Sequence, residues 1–234
     1  MYVGGGIADS RSAVLRATVF DLDDTLIESG GAWVSTCAVY AAAHDHQWTA
    51  ADSAAMHGNG DWSSYVAGLC GGPPPAQVAD DCAQGMINAM TDGDIRLLPG
   101  AAGLVDEAGR FGPVALVSAA PRRFVDAAVA HFGLADCLLA VVCGEDVARQ
   151  KPAPDPYLRA AAELGTAPGD CVAVEDSADG IRSAHAAGLT VLAIPRPGDP
   201  LADPIGRLAA CQAGNATEAA PLLRRLHGPR PGRG

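Results

Sequence analysis

The chain has 234 residues, of which 49% are hydrophobic, and a formal net charge of −11 at pH 7. No apolar run reaches the ~20 residues that a membrane-crossing helix needs, and the opening Met1-Tyr2-Val3-Gly4-Gly5-Gly6 lacks the basic and apolar regions of a secretion signal. Seven scattered cysteines, an odd number with no Cys-x-x-Cys pair, argue against a disulfide framework and for reduced thiols in a cytoplasm.

The first informative element is the apolar stretch Ala13 to Phe20, which reads as a buried strand and runs straight into Asp21-Leu22-Asp23-Asp24-Thr25. Residues two apart in an extended chain share a face, so the Asp21 and Asp23 carboxylates should meet at the strand's carboxyl end while Leu22 turns inward. Two like charges so close repel unless a cation lies between them, and a hard divalent metal suits an all-oxygen site. A lone Asp-x-Asp reads as readily as an Asx turn with solvated acids; three later features outweigh that reading.

The next strand is not reached until Val114, a gap too long for an ordinary crossover. Helical patterns fill it. Trp33, Val34, Cys37, Val39 and Tyr40 suggest one apolar face, and Val78, Cys82, Met86 and Met90 another, entered through Pro73-Pro74-Pro75. Residues 29–95 are therefore read as an inserted helical unit. Strands and helices then alternate: helix 101–110, strand 113–117, helix 121–132, strand 138–142, helix 154–164, strand 171–174, helix 178–187 and strand 190–194, with a last strand-like piece and helix between Leu208 and Leu226. This is the pattern of an α/β protein with a doubly wound parallel sheet.

Three strand ends in that half carry polar groups. Ser118 follows Val114–Val117 and, with the Ala119 amide, precedes a helix, where a hydroxyl and backbone amides can hold an anion; alone it would be a capping serine. Lys151, the chain's only lysine, stands before Pro152, and a compact ammonium is a point-charge partner for phosphate. Glu175-Asp176-Ser177 follows the strand Cys171–Val174 and opens a helix, where acids also complement the dipole.

Taken together, Asp-x-Asp-x-Thr at 21–25, Ser118, Lys-Pro-x-Pro at 151–154 and Glu-Asp-Ser-x-x-Gly at 175–180 resemble the haloacid dehalogenase superfamily of phosphohydrolases, from about Ala13 to Pro195. The resemblance implies a Rossmann-like core formed by 1–28 and 96–226, a helical cap over 29–95 and a disordered tail at 227–234. It implies Asp21 as nucleophile and Asp23 as general acid/base. Mg²⁺ would be held by Asp21, Asp176 and the Asp23 backbone carbonyl, with Glu175 acting through a bound water. Ser118, Ala119 and Lys151 would hold the phosphoryl group, and Thr25 would steady the turn. Two positions depart from the pattern. Ala119-Ala120 replace a polar side chain common in relatives, and Asp24 stands where glycine is frequent. Haloacid dehalogenases proper usually lack an aspartate at position 23, so the resemblance favours phosphate esters.

From Ala17 through Ile95 there is no lysine or arginine, while Glu28, Asp45, Asp52, Asp61, Asp80, Asp81, Asp92 and Asp94 fall there. Such a cap is a poor clamp for a carboxylate or second phosphate. It holds all three tryptophans, Trp33, Trp48 and Trp62, with Tyr40 and Tyr65, and is suited to a sugar, nucleoside or aromatic phosphate as readily as to a small core. Trp33, His57, Asp61 and Trp62 are the candidate substrate contacts, with the polar turn His57–Ser63 expected to dip toward the site. His44 and His46 are expected to be solvated or substrate-facing. The expected partner is a small-molecule phosphate ester, with no nucleic acid or membrane, in a cytoplasmic monomer or weak homodimer. The alternatives are a phosphosugar mutase, which typically carries a histidine and an arginine near the places of Trp33 and Trp62, and an idle phosphate-binding module, which would have lost one of the motif acids.

Overall fold

In a computed structural model, residues 15–56, 61–196, 198 and 201–228 are described. β1 (Ala17–Asp21) is buried along its whole length, as a strand covered on both faces must be. It lies at the centre of a six-stranded sheet with β4 (Val114–Val117) and then β5 (Ala140–Val142) on one side. On the other side follow β6 (Cys171–Glu175), β7 (Thr190–Ala193) and β8 (Cys211–Gln212). Every pairing in this sheet is parallel, with Phe20 level with Leu116 and Val174.

The strand pleat sends successive residues to opposite faces. Phe20, Leu116, Val174 and Leu192 join one apolar cluster under α5 (Ala101–Gly109), α6 (Arg122–His131) and α9 (Ala216–His227). Val19, Ala115, Ala173 and Val191 join another under α7 (Asp155–Glu163) and α8 (Ala178–Ala186). The smaller side chains on the second face let α7 and α8 lie close to the sheet. The expected strands and helices of this half are present, with ends within two residues of the sequence reading.

Between β1 and α5 the chain makes a short antiparallel pair, β2 (Ile27–Glu28) with β3 (Arg96–Leu97), that the sequence reading did not contain. Two residues per strand are too few to leave a periodic signal. This pair brackets α1 (Gly30–Ala42), α2 (Ala50–Met56), α3 (Trp62–Leu69) and α4 (Pro75–Asp92), the helical cap. Cys37, Ala41, Trp62, Val66, Cys70, Val78 and Cys82 form its own apolar cluster. The later turns of α4, through Ala83, Met86 and Met90, join the cluster of the core instead. Val39, expected on the apolar face of α1, is 72% exposed; the buried residues of α1 are Cys37 and Ala41, four apart as one helical stripe requires.

The chain moves from β1 toward β4 and later returns to β1's other side at β6, so the sheet's switch point lies at the carboxyl end of β1. That is where open α/β sheets form their ligand crevice.

The far end of the fold is closed by His227, which the sequence reading assigned to a disordered tail but which ends α9 and is 2% exposed. Residues 229–234 of that tail lie outside the described residues, as do Ala13 and Val14 of the expected first strand. His227 Nδ1 lies 2.8 Å from the Leu15 carbonyl, which can only accept, so Nδ1 carries the proton and Nε2 accepts from the Thr18 hydroxyl at 3.0 Å. Burial holds the imidazole below its usual pKa of 6.5, against the pull of the Leu15 carbonyl. The unfolded chain therefore takes up a proton first as pH falls, and stability is lost below about pH 6.5. Urea midpoints measured from pH 7 to 5 should fall less steeply in His227→Gln than in the parent; identical slopes would remove this role.

Candidate active site

At the carboxyl ends of β1 and β6, Asp21, Glu175 and Asp176 each place a carboxylate oxygen within 4.8 Å of the others, and all three are buried. Lys151 reaches them from the loop before α7. Its ammonium donates to Asp21 Oδ1 and Glu175 Oε1, both at 2.6 Å, and to the Val117 carbonyl at 3.4 Å. The ring of Tyr157, on α7, lies 5.3 Å beneath the ammonium, and its hydroxyl donates to Glu175 Oε1 at 2.6 Å. Glu175 Oε2 accepts from the Asp176 and Ser177 amides and the Ser177 hydroxyl. Glu175 is thus filled with donors and serves as the anchor of Lys151. Only glycine fits at position 180, because a Cβ there would collide with the Glu175 carboxylate. That is the physical reason for the spacing of Glu175 and Gly180.

One ammonium cannot offset three buried carboxylates. Burial pushes Asp21 up to about 8; Lys151 opposes the shift, and the charges of Glu175 and Asp23 add to it. Asp176 is raised well above the usual carboxylate range by burial, then by Asp21 and Glu175. Among the described residues its oxygens have long contacts, to the Thr25 hydroxyl at 3.4 Å and to Arg196 Nε at 3.4 Å. A buried oxygen-rich site with surplus negative charge fits a hard divalent cation. Asp21 and Asp176 have the spare lone pairs to hold one. The Thr25 hydroxyl, expected to steady the turn after Asp23, also lies 3.4 Å from Asp176.

That turn is set by Asp24, whose φ of 57° explains why glycine suits the position; aspartate also tolerates it. Its carboxylate accepts from the Ser29 and Gly30 amides at 3.1 and 2.9 Å and pairs with Arg196 at 3.1 Å. Its charge thus sits at the N-terminus of α1 and against an arginine, and it still adds to the upward push on Asp23 and Asp176.

Asp23 turns toward the cap. Oδ1 accepts from the Ser29 hydroxyl at 2.7 Å and the Trp33 indole at 2.8 Å, and Oδ2 from the Ser118 hydroxyl at 3.2 Å. Burial raises its pKa, against the pull of the Ser29 and Trp33 hydrogen bonds. Ser118 also accepts from the Ala120 amide at 3.0 Å, so it precedes α6 rather than capping it, and Pro121 holds the cap position.

Above these groups opens a cavity lined by Asp21, Asp23, Ala119, Lys151, Asp176 and Arg196 from the core, and by Trp33, Val34, Ser53, Met56 and Trp62 from the cap. Of the candidate cap contacts, Trp33 and Trp62 reach it, their rings 5.1 Å apart. Asp61 is exposed and off its wall. His57 lies outside the described residues, although Met56 and Trp62, which bracket that turn, both line the cavity. His46 contacts the cap's own Asp52 at 3.2 Å. The cap supplies no cation, as its composition requires, but the cavity is not without one beyond Lys151. Arg196, past the end of β7, faces it. Arg196, Tyr157, Ser29 and Met56 were missed because only the folded chain brings them near Asp21 and Asp23; no spacing along the sequence marks them.

Because Asp176 is raised above its unfolded value, its ionised form costs stability, and the cost grows as pH rises. Metal-free Asp176→Asn should therefore be more stable than the parent at pH 8, with the difference narrowing as pH falls. A divalent cation at about a hundred times its Kd should add about 2.7 kcal/mol to the parent and nothing to the variant. Urea unfolding with chelator or cation measures both; cation stabilisation that persists in Asp176→Asn would place the metal elsewhere.

A model of the haloacid dehalogenase-like hydrolases matches residues 15–188. The chain is 35% identical over 196 residues to Protein CbbY of Rhodobacter capsulatus, an alignment covering 77% of this chain and 86% of that protein. It is 33% identical over 189 residues to hexitol phosphatase A of Escherichia coli K12, covering 79% and 85%. Among solved structures it matches a CbbY mutant from Rhodobacter sphaeroides in complex with xylulose-1,5-bisphosphate, with a TM-score of 0.76 and 26% identity over 87% of this chain and 96% of that one. The motif acids, the lysine and the sheet that gathers them agree with that match, and the chain belongs to the haloacid dehalogenase-like hydrolase family.

Proposed function

We propose that this hydrolase is a Mg²⁺-dependent phosphatase, cleaving a sugar, polyol or similar small-molecule phosphate monoester through an aspartyl-phosphate on Asp21. The observation that carries the reading is the pair at the end of β1: Asp21 against Lys151, and Asp23 half-buried with its pKa raised. One carboxylate lies against a cation, and the other draws its hydrogen bonds from the Ser29, Trp33 and Ser118 side chains.

Asp21, Asp176 and the Asp23 backbone carbonyl would hold Mg²⁺, which would supply neutralising charge for the phosphoryl oxygens. Lys151 adds to that charge from the other side of Asp21, and Ser118 with the Ala119 amide offers donors to the same oxygens. An Asp21 oxygen attacks phosphorus while the bond to the leaving oxygen breaks, and Asp23 passes its proton to the departing alkoxide. The Asp23 carboxylate then takes a proton from a water that attacks the same phosphorus. The bond to Asp21 breaks, and inorganic phosphate leaves. Burial suits both steps, because it favours the neutral acid before the first transfer and a basic carboxylate before the second.

The leaving group would lie between Arg196 and the wall of Trp33, Val34, Met56 and Trp62. Aromatic faces and few cap charges suit the carbon framework of a sugar or polyol. The likeness to hexitol phosphatase A, and to the CbbY mutant in complex with xylulose-1,5-bisphosphate, supports the same class. Among the described residues, no feature of the cavity favours retention of the phosphorylated enzyme for a mutase cycle.

A panel of sugar, polyol, nucleoside and aryl monophosphates, assayed with Mg²⁺ and with chelator, should show metal-dependent phosphate release. Asp21→Asn should reduce it to background, and Asp23→Asn by about 10²–10⁴-fold on alkyl esters. Turnover surviving in Asp21→Asn and Asp21→Ala would overturn the nucleophile.

A further inference from the structure

We infer that Trp33 is a positioning residue for Asp23: its indole N–H and the Ser29 hydroxyl jointly occupy one carboxyl oxygen, leaving the transferable proton on the other. This rests on the reading of Asp23 as the proton donor.

Ser29 is the N-cap of α1 and Trp33 lies one turn further on, its amide bonded to the Ser29 carbonyl at 3.0 Å. Residues four apart share a helix face, so one turn of the cap presents both donors to Asp23 Oδ1, at 2.7 and 2.8 Å. A carboxyl oxygen has two lone pairs, and both on Oδ1 are taken. A proton placed there would face two other hydrogens. It belongs on Oδ2, whose neighbour is the Ser118 hydroxyl at 3.2 Å, on the side of the phosphoryl donors.

The indole is itself held in place. Its ring meets Trp62 of α3 at 5.1 Å and stands edge-on to Phe124 of α6 at 5.6 Å. Trp33 and Trp62 both line the cavity. A leaving group pressing on this wall bears on the same ring that orients the acid, so occupancy of the cap side and aim of the proton are mechanically joined. A merely structural tryptophan would use any nearby acceptor for its N–H. Here the acceptor is the one carboxylate whose orientation the reaction needs.

The test compares esters that differ in their need for protonation. Trp33→Phe keeps the ring and removes the donor. Its kcat on fructose 1-phosphate, an alkyl ester, should fall about 10–100-fold. On 4-nitrophenyl phosphate, whose leaving anion is stable without a proton, the loss in kcat should be at least about fivefold smaller, and KM is compared in the Ser29 variant, which leaves the aromatic wall in place. Ser29→Ala removes the other donor without touching the aromatic wall and should show the same bias. Equal losses on the two esters in both variants would overturn the proposal. A second readout needs no turnover. The chain has three tryptophans, and the indole resonance that Trp33→Phe removes from the ¹⁵N–¹H spectrum should shift in Asp23→Asn; an unmoved resonance would also overturn it. Wild-type release of 4-nitrophenol that Asp21→Asn abolishes is what the phosphatase reading itself requires, so its failure is read separately.

Discussion

The ammonium of Lys151, held between Asp21 and Glu175 at 2.6 Å from each, is the contact on which the site depends. A buried carboxylate is costly unless it is paired, and this fold gathers Asp21, Glu175 and Asp176 at one point. Glu175 is the member that no reagent needs to reach. It accepts from Lys151, Tyr157, Ser177 and the Asp176 amide, and the pleat, Gly180 and the start of α8 leave it no other place. Anchored there, it fixes the lysine, and the lysine fixes the nearer oxygen of Asp21. Asp176 receives no comparable help. Negative charge left over at Asp176 and Asp21 suits the site to a divalent cation.

Asp23 is handled by the opposite device. It lies two residues from Asp21 yet draws its hydrogen bonds from the cap and from β4's end, through Ser29, Trp33 and Ser118. The two aspartates of one short motif are thus governed by different parts of the protein. Asp21 answers to the core's buried charges and Asp23 to the cap's first helix. That division gives two carboxylates of the same intrinsic acidity different surroundings, as the proposed roles of nucleophile and proton donor require.

The cap is tied to the core by more than the β2–β3 pair. The last turns of α4 share the core's apolar cluster, and Arg123 of α6 reaches Asp80 of α4 at 3.0 Å. Trp33 stands between the two bodies, against Phe124 on one side and Trp62 on the other. The cap's lack of basic residues therefore does not leave the cavity without positive charge. Arg196 enters from beyond β7, and its position between Asp24 and Asp176 makes it part of the acid network as well as of the cavity wall.

Local chemistry made much of this legible in advance. Alternating apolar runs and helical stretches specify a parallel α/β sheet because each strand covered on both faces must be continuously hydrophobic. Polar residues at the ends of such runs must lie at the sheet's carboxyl edge, which is why Asp21, Asp23, Ser118, Lys151 and Asp176 could be named together. What the sequence could not state was the partner of each group. That Thr25 lies near Asp176, that Tyr157 and Glu175 seat the lysine, that Arg196 reaches Asp24 and that an indole ten residues along the chain holds Asp23 are all consequences of side chains meeting across the fold. Such meetings leave no periodicity behind. Hydrophobic patterning is a property of neighbours in the chain, whereas hydrogen bonding and charge balance at a site are properties of neighbours in space, and only the folded packing of cap on core brings them together.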